Sequence, residues 1–133
     1  MGGNYARKAQ AIRNVMEIMA KQKGPQRFTS QTQLISVAPD KCKFDFKITE
    51  RDVNMFGTLH GGISATIVDV LTNLALIDGT ELDGEINMDK LGVSTDLNIS
   101  YLGKAKEGDI VTFETELMKS GKTLNFLTCT GKN

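Results

Sequence analysis

Three features in the stretch Asn54 to Ile77, NMFGTLHGGISATIVDVLTNLALI, have the types and spacing to do chemistry: the chain's only histidine, His60, the glycine pair Gly61-Gly62, and a single acid, Asp69. If a helix starts at the glycines, its first turn presents backbone N–H groups with no internal partner, and glycine lets another molecule approach them closely. With the positive end of the helix dipole, these donors suit an anion or a developing oxyanion, although a plain helix cap would carry the same groups. Asp69 lies on a helical wheel between Thr66 and Asn73, a narrow polar stripe. The stripe reads either as a solvated outer face or as a carboxylate kept inside for a purpose, since burying such a group is costly unless it is paired. A desolvated carboxylate would serve as a general base near neutral pH. His60 reads as a hydrogen-bonding spacer or as a base, and no Ser-His-Asp spacing accompanies it.

The element that must position these groups is oily on nearly every side, with Ile63, Ala65, Ile67, Val68, Val70, Leu71, Leu74, Ala75, Leu76 and Ile77, which predicts a buried helix. It would be roughly 25 Å long, and Asp69, Thr72 and Asn73 argue against a membrane span. Upstream, Tyr5 to Lys23 places Ala9, Ile12, Val15, Met16 and Met19 on one helical face, ending at Gly24-Pro25. This basic, acid-poor segment reads as an ordinary helix packed on the domain or as an organelle-targeting or membrane-surface segment. At the myristoylation position that calls for Ser or Thr stands Ala6, so that modification is discounted.

Gln33 to Ala38 predicts a short strand, Pro39-Asp40 a turn, and Lys41 to Thr49 a strand with Cys42, Phe44, Phe46 and Ile48 on its oily face. On that face Cys42 is core packing and a poor nucleophile. Asp78 to Gly92 reads as a surface loop, followed by three alternating segments, Val93 to Leu102, Ile110 to Met118 and Thr123 to Thr130, joined by turns. The order of elements gives an α+β fold, an antiparallel sheet with its helix segregated to one face. A chain of 133 residues with sixteen basic and sixteen acidic residues is one domain and argues against a nucleic-acid partner. Two cysteines and one histidine do not make an ordinary four-ligand zinc site, so no metal is expected, and sparse thiols favour a reducing, intracellular setting.

The run Asn54-Met55-Phe56-Gly57-Thr58-Leu59-His60-Gly61-Gly62, with Asp69 nine residues after His60 and Gly92-Val93-Ser94 followed by D-x-N-I, resembles the hot-dog-fold thioesterases of the phenylacetate-degradation type. The likeness covers essentially the whole chain. It implies a hot-dog fold, an antiparallel sheet wrapped around a long central helix, with an extra N-terminal helix over residues 1–28 and the thioesterase domain over 29–133. It further implies hydrolysis of acyl-CoA to fatty acid and CoA, with no cofactor beyond the CoA of the substrate. By the resemblance, Gly61 and Asn54 would polarise the thioester carbonyl, Asp69 would activate water, Ser94 would orient that water, and His60 would support the loop or the leaving thiolate. Asp69 and Ser94 would face Asn54, His60 and Gly61 of another subunit, in a homodimer or homotetramer. Tyr101, Leu102, Gly103, Lys104, Ala105 and Lys106, with Lys119, Ser120, Gly121, Lys122, Thr123 and Leu124, match CoA-contacting stretches, the lysines meeting phosphates. The plain alternative for the lysines is that they are solvated turn residues. A cytoplasmic or mitochondrial protein without a transmembrane segment is implied.

Two features depart from the family pattern. The loop before Ser94 is longer, and after Gly131-Lys132-Asn133 the family continues with one more strand, lying between the preceding strand and the one that begins near Ser94. The expected sheet therefore has a gap with unpaired backbone groups. Competing readings are an inactive hot-dog module that binds acyl-CoA or only dimerises, and a dehydratase using His60 as base.

Overall fold

The computed structural model describes residues 2–79 and 92–133. Period-two alternation builds its sheet. In β2 (Lys41–Lys47) Cys42, Phe44 and Phe46 are buried while Lys41, Lys43 and Lys47 are exposed. β1 (Thr32–Ala38) pairs antiparallel with β2 across the Pro39-Asp40 turn, where Asp40 takes φ 59, a left-handed conformation that Asp tolerates better than most residues. β3 (Ile110–Ser120) buries Val111, Phe113 and Thr115, and β4 (Asn125–Lys132) completes a sheet of order β1-β2-β3-β4.

Two helices bring their apolar faces to this sheet. α1 (Gly2–Ala20) contributes Ile12, Val15 and Met16, as its periodicity predicts, and α2 (Gly61–Leu74) contributes Ile67, Leu71 and Leu74. They meet Phe28, Phe44, Phe46 and Ile48 in one core, where Phe28 and Phe46 pack edge to face with ring centroids 6.1 Å apart. Lys8 of α1 donates from Nζ to the Ala75 carbonyl (2.6 Å), placing a cation at the negative end of α2. Phe44 is 0% exposed, and Phe44→Ala is expected to lower the unfolding free energy by about 3–5 kcal/mol, read from urea denaturation.

The structure corrects several expectations. α1 stops at Ala20, and Gly24-Pro25 instead opens a 3₁₀ turn, Pro25–Gln31. α2 is buried along one stripe only; Ile63, Val68 and Val70 on its other sides are half-buried, because the sheet covers a single side of the helix. Val93 to Leu102 forms no strand. Alternation suits a segment to a ladder but does not supply one, and among the described residues the run has no antiparallel partner, leaving Val93, Leu97 and Tyr101 exposed. Between it and β4 runs a trough of about 950 Å³, also lined by Val68, Thr72, Asn73 and Leu76 of the helical side, where the gap in the sheet was expected. The last strand begins at Asn125 rather than Thr123. Most of the expected Asp78 to Gly92 loop lies outside the described residues.

Candidate active site

The segment between β2 and α2 is built by its own polar side chains. A 3₁₀ turn, Glu50–Asp52, leads to a small antiparallel loop in which the Asn54 N–H donates to the Thr58 carbonyl (2.8 Å) and Val53 bridges to Leu59. Gly57 turns the tip at φ 77, a conformation that favours glycine. Asn54 Oδ1 accepts from the Phe56 N–H (2.9 Å), the Thr58 N–H (3.2 Å) and the Thr58 hydroxyl (3.2 Å). The amide oxygen is thus committed to the loop. Its Nδ2 makes no hydrogen bond among the described residues and is the end left to donate elsewhere.

α2 begins where the glycines predicted. His60 is its N-cap, and its ring Nδ1 accepts from the Gly62 N–H at 2.9 Å. An accepting Nδ1 places the ring proton of a neutral imidazole on Nε2, so this histidine caps a helix and offers a donor rather than a base. The Ser64 N–H goes to the His60 carbonyl (3.0 Å), while the Gly61 N–H has no partner among the described residues. With Gly62 capped, Gly61 is the open donor at the positive end of the helix.

Two turns further along, the half-buried Asp69 carboxylate accepts a hydrogen bond from the Ser94 hydroxyl. The remaining polar groups of the stripe are absorbed by the helix itself. Thr66 donates to the Gly62 carbonyl, Thr72 to those of Val68 and Asp69, and Asn73 to that of Asp69. Eight residues of helix separate Gly61 from Asp69, about 12 Å at 1.5 Å per residue. The Gly61 N–H and the acid of one chain therefore stand about two helical turns apart along the axis.

The segments expected to meet CoA are only partly brought together. Tyr101 donates its hydroxyl to the Gly61 carbonyl (2.8 Å), and the Leu59 N–H donates to Ala105 (2.8 Å), so Tyr101 to Lys106 lies against the start of α2. Tyr101, Leu102, Gly103, Lys104 and Ala105 line the trough with Thr123 and Leu124, whereas Lys106, Lys119, Ser120, Gly121 and Lys122 lie outside it. All four lysines are exposed.

Among the described residues no group of three or more His, Cys, Asp or Glu could hold a metal ion, and no helix is long and apolar enough to cross a membrane. Burial pushes the Cys42 thiol above its ordinary value, against the pull of the Lys8 charge and a Thr115 hydrogen bond, and pushes Cys129 up to about 12. Both thiols should react far more slowly with a maleimide at pH 8 than in denaturant, and a native rate equal to the denatured one would contradict that environment. The folded Cys129 keeps its proton where the unfolded thiol, at about 9, gives it up. Its contribution to stability is therefore full below pH 9 and lost as pH rises toward 12.

One residue escaped sequence reasoning. Asp52 is buried, and it closes a capping box with Thr49, a pattern legible in Thr49-Glu50-Arg51-Asp52.

A family model described as the thioesterase superfamily matches residues 56–133. Acyl-coenzyme A thioesterase 13 of Mus musculus is 39% identical over 117 residues, covering 88% of this chain and 79% of that protein. The crystal structure of zebrafish thioesterase superfamily member 2 superposes with a TM-score of 0.80 at 32% identity, covering 94% of this chain and 86% of that one. The mouse thioesterase superfamily member 2 structure gives a TM-score of 0.79 at 35% identity, over 94% of this chain and 84% of the other.

Proposed function

The chain belongs to the thioesterase superfamily, and we propose that it hydrolyses acyl-CoA thioesters with water activated at Asp69 against a carbonyl held by Gly61 and Asn54 of a second copy. The observation that carries this reading is the Asp69–Ser94 pair standing two helical turns from donors that are otherwise unused. In a two-fold dimer each contact is made twice, so Asp69 of one copy opposite Gly61 of the next gives two complete sites. A homodimer, or a homotetramer built from two dimers, supplies that arrangement.

In the reaction, Ser94 orients a water whose proton passes to the Asp69 carboxylate as its oxygen bonds to the thioester carbon. The carbonyl electron pair moves to oxygen, where the Gly61 N–H and Asn54 Nδ2 stabilise it. Collapse breaks the C–S bond, and the CoA thiolate takes the proton from Asp69, leaving a carboxylic acid and CoA thiol. Water is the only co-reactant, and no cofactor enters. His60, through its cap, fixes the peptide that carries the Gly61 donor. Tyr101 to Lys106 and Lys119 to Leu124 hold the CoA portion, with Lys104, Lys106, Lys119 and Lys122 near its phosphates. A cytoplasmic or mitochondrial location fits such a substrate and the basic, acid-poor α1.

Release of CoA thiol from acyl-CoA esters of graded chain length, with matching appearance of free acid, tests the reading. Turnover of at least one chain length is expected, and none across the series would refute it.

A further inference from the structure

We infer that Asp52 is a positioning residue for the oxyanion donors, an inference that rests on the hydrolytic reading of the site. The residue is 6% exposed, and a single carboxylate oxygen, Oδ2, accepts three hydrogen bonds: from Gln31 Nε2 (2.7 Å), the Thr49 N–H (2.8 Å) and the Thr49 hydroxyl (2.9 Å). These anchor the Glu50–Asp52 turn at the end of β2 and tie it to the 3₁₀ turn ending at Gln31. The backbone of the same residue faces the site. The Asp52 carbonyl accepts the His60 N–H at 2.8 Å, immediately before the peptide that carries the Gly61 N–H.

Asp52 therefore stands at the base of both legs of the loop. One leg runs from Asp52 to Asn54 and presents Nδ2. The other returns from Thr58 to His60 and delivers Gly61. The bridge between Val53 and Leu59 and the bond from Asn54 to Thr58 hold the legs in register. The two donors share one frame, and its only buried acid, clamped from outside by Gln31, sets where that frame sits. Misplacement by about 1 Å at a reacting centre costs on the order of a hundredfold in rate.

The test compares Asp52→Ala, Asp52→Asn and Gln31→Ala with the unmodified chain in thiol-release kinetics. Asp52→Ala should lower kcat by roughly ten- to a hundredfold with KM within about threefold, since the frame positions transition-state donors. Asparagine offers one oxygen in the same place and should restore most of kcat, because the three donors converge on a single acceptor. Gln31→Ala, which removes one donor from outside the loop, should lower kcat several-fold and keeps the test open if Asp52→Ala does not fold. Wild-type kcat in Asp52→Ala, or in Gln31→Ala where the former is unfolded, overturns the inference alone. Equal losses in the Ala and Asn variants also overturn it, since charge rather than placement would then matter. An unmodified chain that turns over no acyl-CoA removes the hydrolytic reading and this inference with it.

Discussion

Asp69→Ala is expected to reduce kcat for acyl-CoA hydrolysis by about a hundred- to ten-thousandfold, the range over which a positioned general base contributes. The carboxylate is half-buried on α2 and accepts from the Ser94 hydroxyl, and on the proposed mechanism its removal deletes the proton acceptor and frees the water it would hold. KM should change little, because the acid acts on water and not on the ground-state thioester. Asp69→Asn, with the same shape, should be as inactive as Asp69→Ala, since an amide does not accept the proton. Undiminished turnover in either variant would end the role of this residue.

Replacing the amide proposed to bind the carbonyl, that of Asn54, is expected to have the second-largest effect. Asn54→Asp keeps an oxygen to accept the three hydrogen bonds from Phe56 and Thr58, so the loop can close, but it turns the Nδ2 donor into a negative oxygen. Loss of one oxyanion donor costs about a hundred- to a thousandfold in kcat. Asn54→Ala should lose at least as much, with added disorder of the loop, and an Asn54→Asp enzyme of wild-type kcat would exclude the donor role. The same variants reveal the geometry between copies. Mixing inactive Asp69→Ala chains with inactive Asn54→Ala chains places both defects in one site of a mixed dimer and none in the other. Equal mixing with free exchange then restores about a quarter of the sites. No recovery after unfolding and refolding the mixture together would mean that each site draws on a single chain.

Much of the fold was legible because it rests on periodicity. The stripe of Ile12, Val15 and Met16 and the alternation of Cys42, Phe44 and Phe46 each state which face is buried, and the structure buries them. The same logic fails at Val93 to Leu102, where alternation is present but a ladder depends on a neighbour that no local pattern encodes. It fails in the opposite sense at Ile63, Val68 and Val70. An oily helix announces its wish for cover, while the sheet decides how many sides receive it. Within the candidate site, Asp69 stood out as one acid in an apolar run, and Gly61-Gly62 as a helix start. Asn54 and Ser94 carry no such mark, since a polar residue in a loop or at a segment start is ordinary, and only the family likeness singled them out. At Asp52 the local box with Thr49 is written in the sequence, but the third bond, from Gln31 twenty-one residues away, is not.

The roughly 12 Å between the Gly61 donor and the acid on one helix separates, on the proposed reading, two events that are usually one. A chain folds by a first-order process, and its rate does not depend on how many copies are present. On the proposed arrangement, a folded chain holds half of each of two sites, and catalysis starts only when it meets another. Recovery of activity after refolding would then lag recovery of helix signal, with a delay that shortens as protein concentration rises. Specific activity would likewise fall on dilution while the fold stayed intact.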